Sequence, residues 1–180
     1  MRLNSRYNGY SKEELIVTVA TTTTLESINP ATGKAVGSVP VTSTEEISEV
    51  VAKARAAQPT WNGLGVDARV EMLKQVAKRL AEEADRIGNL ITSEMGKSTK
   101  EAQGEASYGA DKFTIELEDA AQAFEPVEIA DENTTSMLYW DPLGVSAAIT
   151  PWNFPMLMPQ QCILPSLVAG NTVVFKPSEE

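Results

Sequence analysis

Two short polar clusters carry the side chains that could do chemistry: Thr150-Pro151-Trp152-Asn153 and Lys176-Pro177-Ser178-Glu179. Asn153 stands between Pro151 and Pro155. The prolines restrict the backbone on both sides and remove two N–H donors. A rigid side-chain amide at a strand end suits an oxyanion, because its N–H meets developing charge without reorganising. An ordinary asparagine turn accounts for the same spacing. Lys176 and Glu179 put an ammonium and a carboxylate close together in the chain. Such a pair can bind sugar hydroxyls, the ammonium donating and the carboxylate accepting. A solvated loop ion pair is the competing reading.

The elements around these clusters set their geometry. Val145–Ile149 is a short apolar run, residues 156–169 are apolar at helical length, Gly170 ends them, and residues 171–175 form a second β-branched run. That order predicts a βαβ unit with parallel strands and a right-handed crossover. In open α/β sheets ligands gather at the carboxyl ends of the strands. Both polar clusters fall at those ends, so the sequence predicts that they face one crevice. Each supports the functional reading of the other.

Upstream, residues 1–24 read as a polar leader that closes on a threonine run. Residues 25–41 hold Asn29-Pro30-Ala31-Thr32-Gly33-Lys34, turn chemistry for a hairpin. Ser43 with Glu46 is a capping box. It opens a helical stripe of Ile47, Val50, Val51, Ala54 and Ala57 that is expected to stop before Pro59. Asp67 is the expected cap of a second helix with Val70, Leu73, Val76, Ala77, Leu80 and Ala84 on its apolar face. A further helical piece at 87–95 ends at Gly96. Ser98 and Glu101 signal another capping box, before a long helix to about Phe124 with Ala102, Ala106, Phe113, Leu117 and Ala121 apolar. Residues 126–129 and 136–140 read as two strands around Asp131-Glu132-Asn133, a hairpin that projects from the body.

Composition excludes several function classes. The chain has 180 residues, 42% of them hydrophobic, and a mean hydropathy of -0.18, which suits one globular α/β domain. Its net charge of -10 argues against generic binding to nucleic acid or to an anionic membrane surface. It contains no histidine, which removes Ser-His-Asp and Cys-His catalysis within these residues. Cys162 is the one cysteine, so no internal disulfide forms. Without a base or cation at hand, and mid-way along an apolar helix, it reads as a buried, inert thiol. The first residues lack a secretory h-region and no apolar run reaches the ~20 residues of a membrane span, so the expected location is cytoplasmic.

Three patterns have structural explanations instead of ligands. Gly96-Lys97-Ser98 is a helix end followed by a cap, not a phosphate loop. Gly63 to Ala68 matches a loose dinucleotide fingerprint but does not follow a strand. Asn133-Thr134-Thr135 is a turn.

TPWNFP, followed after a helix by LVAGNTVVFKPSE, resembles the nucleotide-binding βαβ unit of the aldehyde dehydrogenase superfamily. INPATGK is similar to that family's N-terminal hairpin, EMGK with EAQGE to its second helical block, and DPLGV to the lead-in of its first sheet strand. The resemblance covers about residues 25–180. It implies a Rossmann-type parallel-sheet domain, with 25–125 and 141–180 forming an incomplete dinucleotide-binding domain and 126–140 an oligomerisation hairpin.

It also implies the activity: an aldehyde is oxidised to a carboxylic acid with NAD or NADP. A cysteine thiolate adds to the aldehyde, the thiohemiacetal gives up hydride, and a glutamate helps water release the acid. By resemblance Asn153 donates to the oxyanion. Ile149, Thr150, Pro151 and Trp152 line the dinucleotide, together with Asn153. Lys176 and Glu179 take the adenosine-ribose hydroxyls, with Ser178 beside them. A carboxylate at Glu179 favours NAD over NADP, while Lys176 tolerates the phosphate. The expected partners are the aldehyde and further copies of the chain.

Members of that family are much longer. Up to Glu180 the chain lacks the glycine-bearing turn for the pyrophosphate, the catalytic glutamate and the nucleophilic cysteine; Cys162 does not match the nucleophile's motif. The expectation is a catalytically inactive part of such an enzyme. The alternatives are a truncated homologue that acts on full-length subunits through its hairpin, and a minimal nucleotide-binding module.

Overall fold

The computed structural model describes residues 24–179. The leader proposed for residues 1–24 therefore lies outside the described residues except at its last position. The element order is β1 (Thr24–Ile28), β2 (Ala35–Pro40), α1 (Thr44–Gly63), α2 (Val66–Met95), α3 (Thr99–Ala123), β3 (Val127–Ala130), β4 (Thr135–Leu138), β5 (Val145–Ile149), α4 (Leu157–Val168) and β6 (Thr172–Lys176). The strands form three two-stranded sheets: antiparallel β1–β2, antiparallel β3–β4 and parallel β5–β6. Among the described residues no helix is long and apolar enough to cross a membrane.

Both predicted hairpins form, each around a local side-chain acceptor. Asn29 Oδ1 accepts from the N–H groups of Ala31 (2.9 Å) and Thr32 (3.1 Å), and Gly33 closes the turn at φ 67°. Asp131 Oδ1 accepts from the N–H groups of Asn133 and Thr134, both at 2.8 Å, so Asn133-Thr134 is a turn.

The helix boundaries follow the sequence signals with three differences, and the stripe expected along α1 is not a core face: Ile47, Val50 and Ala57 are exposed and only Val51 and Ala54 are half-buried, where α1 meets β6. The box at Ser43 and Glu46 is present in both directions, and α1 starts there. But α1 continues through Pro59 to Gly63. Contacts on either side of the proline support that extension: Gln58 Nε2 donates to the Gly170 carbonyl (3.1 Å) and Trp61 Nε1 to that of Leu167 (2.9 Å). Tertiary bonds here outweigh the helix-breaking tendency of proline. The cap of α2 is Gly65, not Asp67. Gly65 adopts φ 80°, offers no side chain, and its carbonyl accepts from Arg69 N–H at 3.2 Å.

The two pieces expected at 70–84 and 87–95 are one helix of 30 residues. Nothing interrupts it, because Gly88 meets α3 closely enough to be buried; a Cβ there would stand 2.8 Å from Gln103 Cα. Gly96 ends α2 in the left-handed region, and Ser98 caps α3 by accepting from Glu101 N–H at 3.3 Å; the expected box is one-directional, because the Glu101 carboxylate takes the Ser98 hydroxyl (2.7 Å) and not its N–H. That confirms a helix-to-helix junction at Gly96-Lys97-Ser98. The Gly63–Ala68 pattern is likewise a junction, between α1 and α2.

The core lies between α2, α3 and α4. Val70, Phe113, Leu117, Leu164 and Val168 are buried, flanked by Leu73, Ala77 and Leu80. Full burial of each large side chain contributes about 1.5–3 kcal/mol. Two ends of α4 are tied to neighbours. At its carboxyl end the Arg69 guanidinium donates to the Val168 carbonyl (3.1 Å) and the Asn62 carbonyl (2.8 Å). Cations are favourable there because the last helix carbonyls are orphaned.

Cys162 is exposed, not buried as the sequence suggested. The reason is helical phase. α4 turns Gln160, Leu164 and Val168 inward at four-residue spacing, and Cys162 lies off that stripe. A helix apolar all round gives no phase to read.

Candidate functional site

β5 and β6 pair in parallel from Val145↔Thr172 to Ile149↔Lys176. One further bond runs from Thr150 N–H to the Lys176 carbonyl, at 3.3 Å. The two strands therefore end together, and their polar sequels leave from adjacent points, as expected of a βαβ unit. At the opposite end Gly144 N–H donates to Asn171 Oδ1 (2.8 Å) and Thr172 N–H to the Gly144 carbonyl (2.9 Å), which pins the register.

The structure brings most of the sequence-selected residues together. Thr150, Pro151 and Trp152 share with Pro177 and Ser178 a cavity of about 230 Å³, closed on the far side by Ile87, Ile91 and Met95 of α2. Thr150 is buried. Ile149 is 75% exposed at the strand end. Lys176 and Glu179 form an exposed ion pair. The hydrogen bond from Lys176 holds the Glu179 carboxyl below its ordinary range. Asn153 is exposed and does not line the cavity. Among the described residues its side-chain amide has no hydrogen-bond partner, so both donors are available.

Two residues to which the sequence reading gave no role in the site lie under the turn. Lys97 Nζ is 2.5 Å from Glu105 Oε2 and 2.9 Å from the Asn153 carbonyl oxygen. Glu105 Oε1 accepts from Met156 N–H at 3.0 Å and from Leu157 N–H at 3.4 Å. One signal could have found Glu105. It falls among Ala102, Ala106 and Gly109 on the buried stripe of α3, where a carboxylate needs a partner.

Among the described residues no cluster of histidine, cysteine, aspartate or glutamate could hold a metal ion. The arrangement is that of an α/β protein with polar groups collected at the carboxyl ends of adjacent parallel strands. The family model described as the aldehyde dehydrogenase family matches residues 17–180, and the chain belongs to that family.

A mitochondrial succinate-semialdehyde dehydrogenase from Arabidopsis thaliana is 36% identical over 159 residues, covering 87% of this chain and 30% of the relative. The crystal structure of the NADP-dependent glyceraldehyde-3-phosphate dehydrogenase from Bacillus halodurans C-125 complexed with NADP superposes with a TM-score of 0.81 at 34% identity. It covers 89% of this chain and 35% of that one. Lactaldehyde dehydrogenase from Escherichia coli gives a TM-score of 0.80 at 32% identity, over 87% of this chain and 33% of that one. The chain thus spans about a third of the length of the relatives it matches.

Proposed function

We propose that this chain supplies the oxyanion donor and half of the cofactor crevice of an enzyme that oxidises an aldehyde to a carboxylic acid with NAD, NADP being an acceptable substitute. The observation that carries the reading is the convergence of Thr150, Pro151, Trp152 and Ser178 on one cavity at the paired strand ends, with Lys176 and Glu179 beside it. The donor set fits a dinucleotide. Glu179 can accept from a ribose hydroxyl and Lys176 can donate to one, while Pro151 and Ile149 offer apolar surface. The Glu179 carboxylate repels a 2′-phosphate and favours NAD; Lys176 keeps the discrimination modest.

When bound, the nicotinamide accepts the hydride that leaves the substrate carbon. The chain's own part is electrostatic. Asn153 donates its side-chain N–H to the oxygen that turns negative when a thiolate adds to the aldehyde, and so lowers that barrier. These 180 residues contain no histidine and one thiol, Cys162, on the exposed side of α4. Alone they are expected to give no sustained NADH from a panel of aldehydes, whereas steady turnover would refute the proposed division of labour.

The test of the cofactor reading is an NMR titration with NAD. Because only half of the crevice is present, binding is weak and shifts are expected at millimolar NAD, concentrated at 149–153 and 176–179. Lys176→Ala should weaken binding by about three- to tenfold, the value of one hydrogen bond. Shifts elsewhere, or none at all, would overturn it.

A second reading is favoured by the β3–β4 hairpin, which is exposed at every position. Through it the chain would bind further copies or full-length subunits without any chemistry of its own.

A further inference from the structure

The turn that carries Asn153 has few bonds of its own. Residues 151–155 are all exposed, and two of the five are prolines. α4 begins at Leu157, and Met156 before it offers no side-chain cap. Lys97 and Glu105 supply what is missing. They form a largely buried ion pair, with the Lys97 and Glu105 side chains 15% and 3% exposed. Lys97 also donates to the Asn153 carbonyl, and its ammonium stands 4.4 Å from the centre of the Phe154 ring. Glu105 caps the orphan N–H groups of Met156 and Leu157, where a helix end favours negative charge.

The pair is itself held in place. Lys97 sits between Gly96, which ends α2 at φ 73°, and Ser98, which caps α3. The α2–α3 junction and α3 thus converge on one backbone segment through two side chains.

We propose that Lys97 and Glu105 are positioning residues. They clamp the backbone of residues 153–157 so that the Asn153 side-chain amide, left without another partner, is presented at a fixed spot at the strand ends. Lys97 sets the carbonyl side of Asn153 and Glu105 sets the start of α4. The functional half of this statement rests on Asn153 being the oxyanion donor; the clamp itself rests only on the contacts. Breaking a buried pair from one side leaves the other charge uncompensated, so each partner depends on the other.

The test is NMR on the whole chain and on Lys97→Met, Lys97→Arg and Glu105→Gln. In Lys97→Met the backbone order parameter of Asn153 is expected to fall from about 0.85 towards 0.6. Amide exchange at Met156, Leu157 and Met158 should accelerate by roughly ten- to a hundredfold, while rates around Val70 and Leu117 stay unchanged. Lys97→Arg should restore both readouts. Glu105→Gln, which keeps the shape, should accelerate exchange at Met156 and Leu157 and decides the question if Lys97→Met does not fold. Wild-type rates in both variants, or a uniform rise through all helices, would overturn the clamp. NAD-induced shifts at 149–153 are expected to shrink in Lys97→Met and return in Lys97→Arg. If the wild-type chain shows no such shifts, the cofactor reading falls while the order parameter and exchange rates still decide the clamp.

Discussion

Individual residues divide by how far away their partners lie. Glu46 belongs to the near kind: its Oε2 accepts from Ser43 N–H at 2.7 Å. That backbone bond is the main reason its carboxyl titrates below the ordinary value, with the Ser43 hydroxyl adding to it. The folded pKa is lowered, so the contribution to α1 is present above the unfolded value and is lost as pH falls through the folded one. Acidifying below about pH 4 should therefore move the Ser43 amide resonance while the middle of α2 is still unchanged. Simultaneous loss of both would contradict a local cap.

Arg69 belongs to the far kind. It is 3% exposed and its Nε bonds the carbonyl of Val168, 99 residues on. Burial lowers its pKa, but a guanidinium remains charged at any physiological pH. Arg69→Met would leave the Val168 carbonyl without its donor, while the Asn62 carbonyl keeps the Gly65 N–H at 3.2 Å, and should cost about 1–3 kcal/mol in urea unfolding. A cost under about 0.5 kcal/mol, typical of a surface change, would mean that water replaces the guanidinium freely. The capping box was legible because both partners sit within one turn of chain. Arg69 and Lys97 were not, because a polar residue on a helix or in a helix junction reads as solvated until the facing element is known; Glu105 was legible only as a carboxylate on the buried stripe of α3, without its partners.

Elements show the same division. The amphipathic stripe of α3, both hairpins and the parallel strand–helix–strand unit all follow from local spacing, and the structure has them where the sequence put them; the α2 stripe holds except at Val76, which is 42% exposed because it lies off the face that Val70, Leu73, Ala77 and Leu80 turn to the core. What spacing missed came from packing. α1 passes Pro59 because Gln58 and Trp61 bind the end of α4. α2 is continuous because α3 lies along it. The two helices approach closely at Gly88, where the atoms that a Cβ would meet include Gln103 backbone at 2.8 Å and 3.0 Å. Backbone cannot rotate away as a side chain can. Gly88→Ala should therefore cost about 1–3 kcal/mol despite alanine's better helix propensity, which by itself would add about 1 kcal/mol of stability. Thermal denaturation decides: a raised midpoint would show that the helices separate easily and that the glycine serves no packing purpose.

At the scale of the whole molecule, the helical core and the β3–β4 hairpin differ in what they bury. The helical core around Leu117 and Val168, both fully buried, carries the fold. β3 and β4 bury nothing, yet they present Val127, Ile129, Met137 and Leu138, with Ile129 61% exposed. A two-stranded ribbon with free edges and an apolar surface is marginal alone and is stabilised by pairing with another chain. If the hairpin is the assembly surface of the second proposed reading, substitutions in the two regions should have opposite signatures. Leu117→Ala should cost about 2–5 kcal/mol of folding stability. Ile129→Asp should change monomer stability by less than about 0.5 kcal/mol. In sedimentation, however, it should convert a discrete, concentration-dependent oligomer to monomer. Ile149→Asp, at the strand ends, serves as the control, because Ile149 is more exposed than Ile129 but belongs to the crevice. If Ile149→Asp disperses the oligomer and Ile129→Asp does not, the chain associates through its crevice, and the hairpin loses its proposed role.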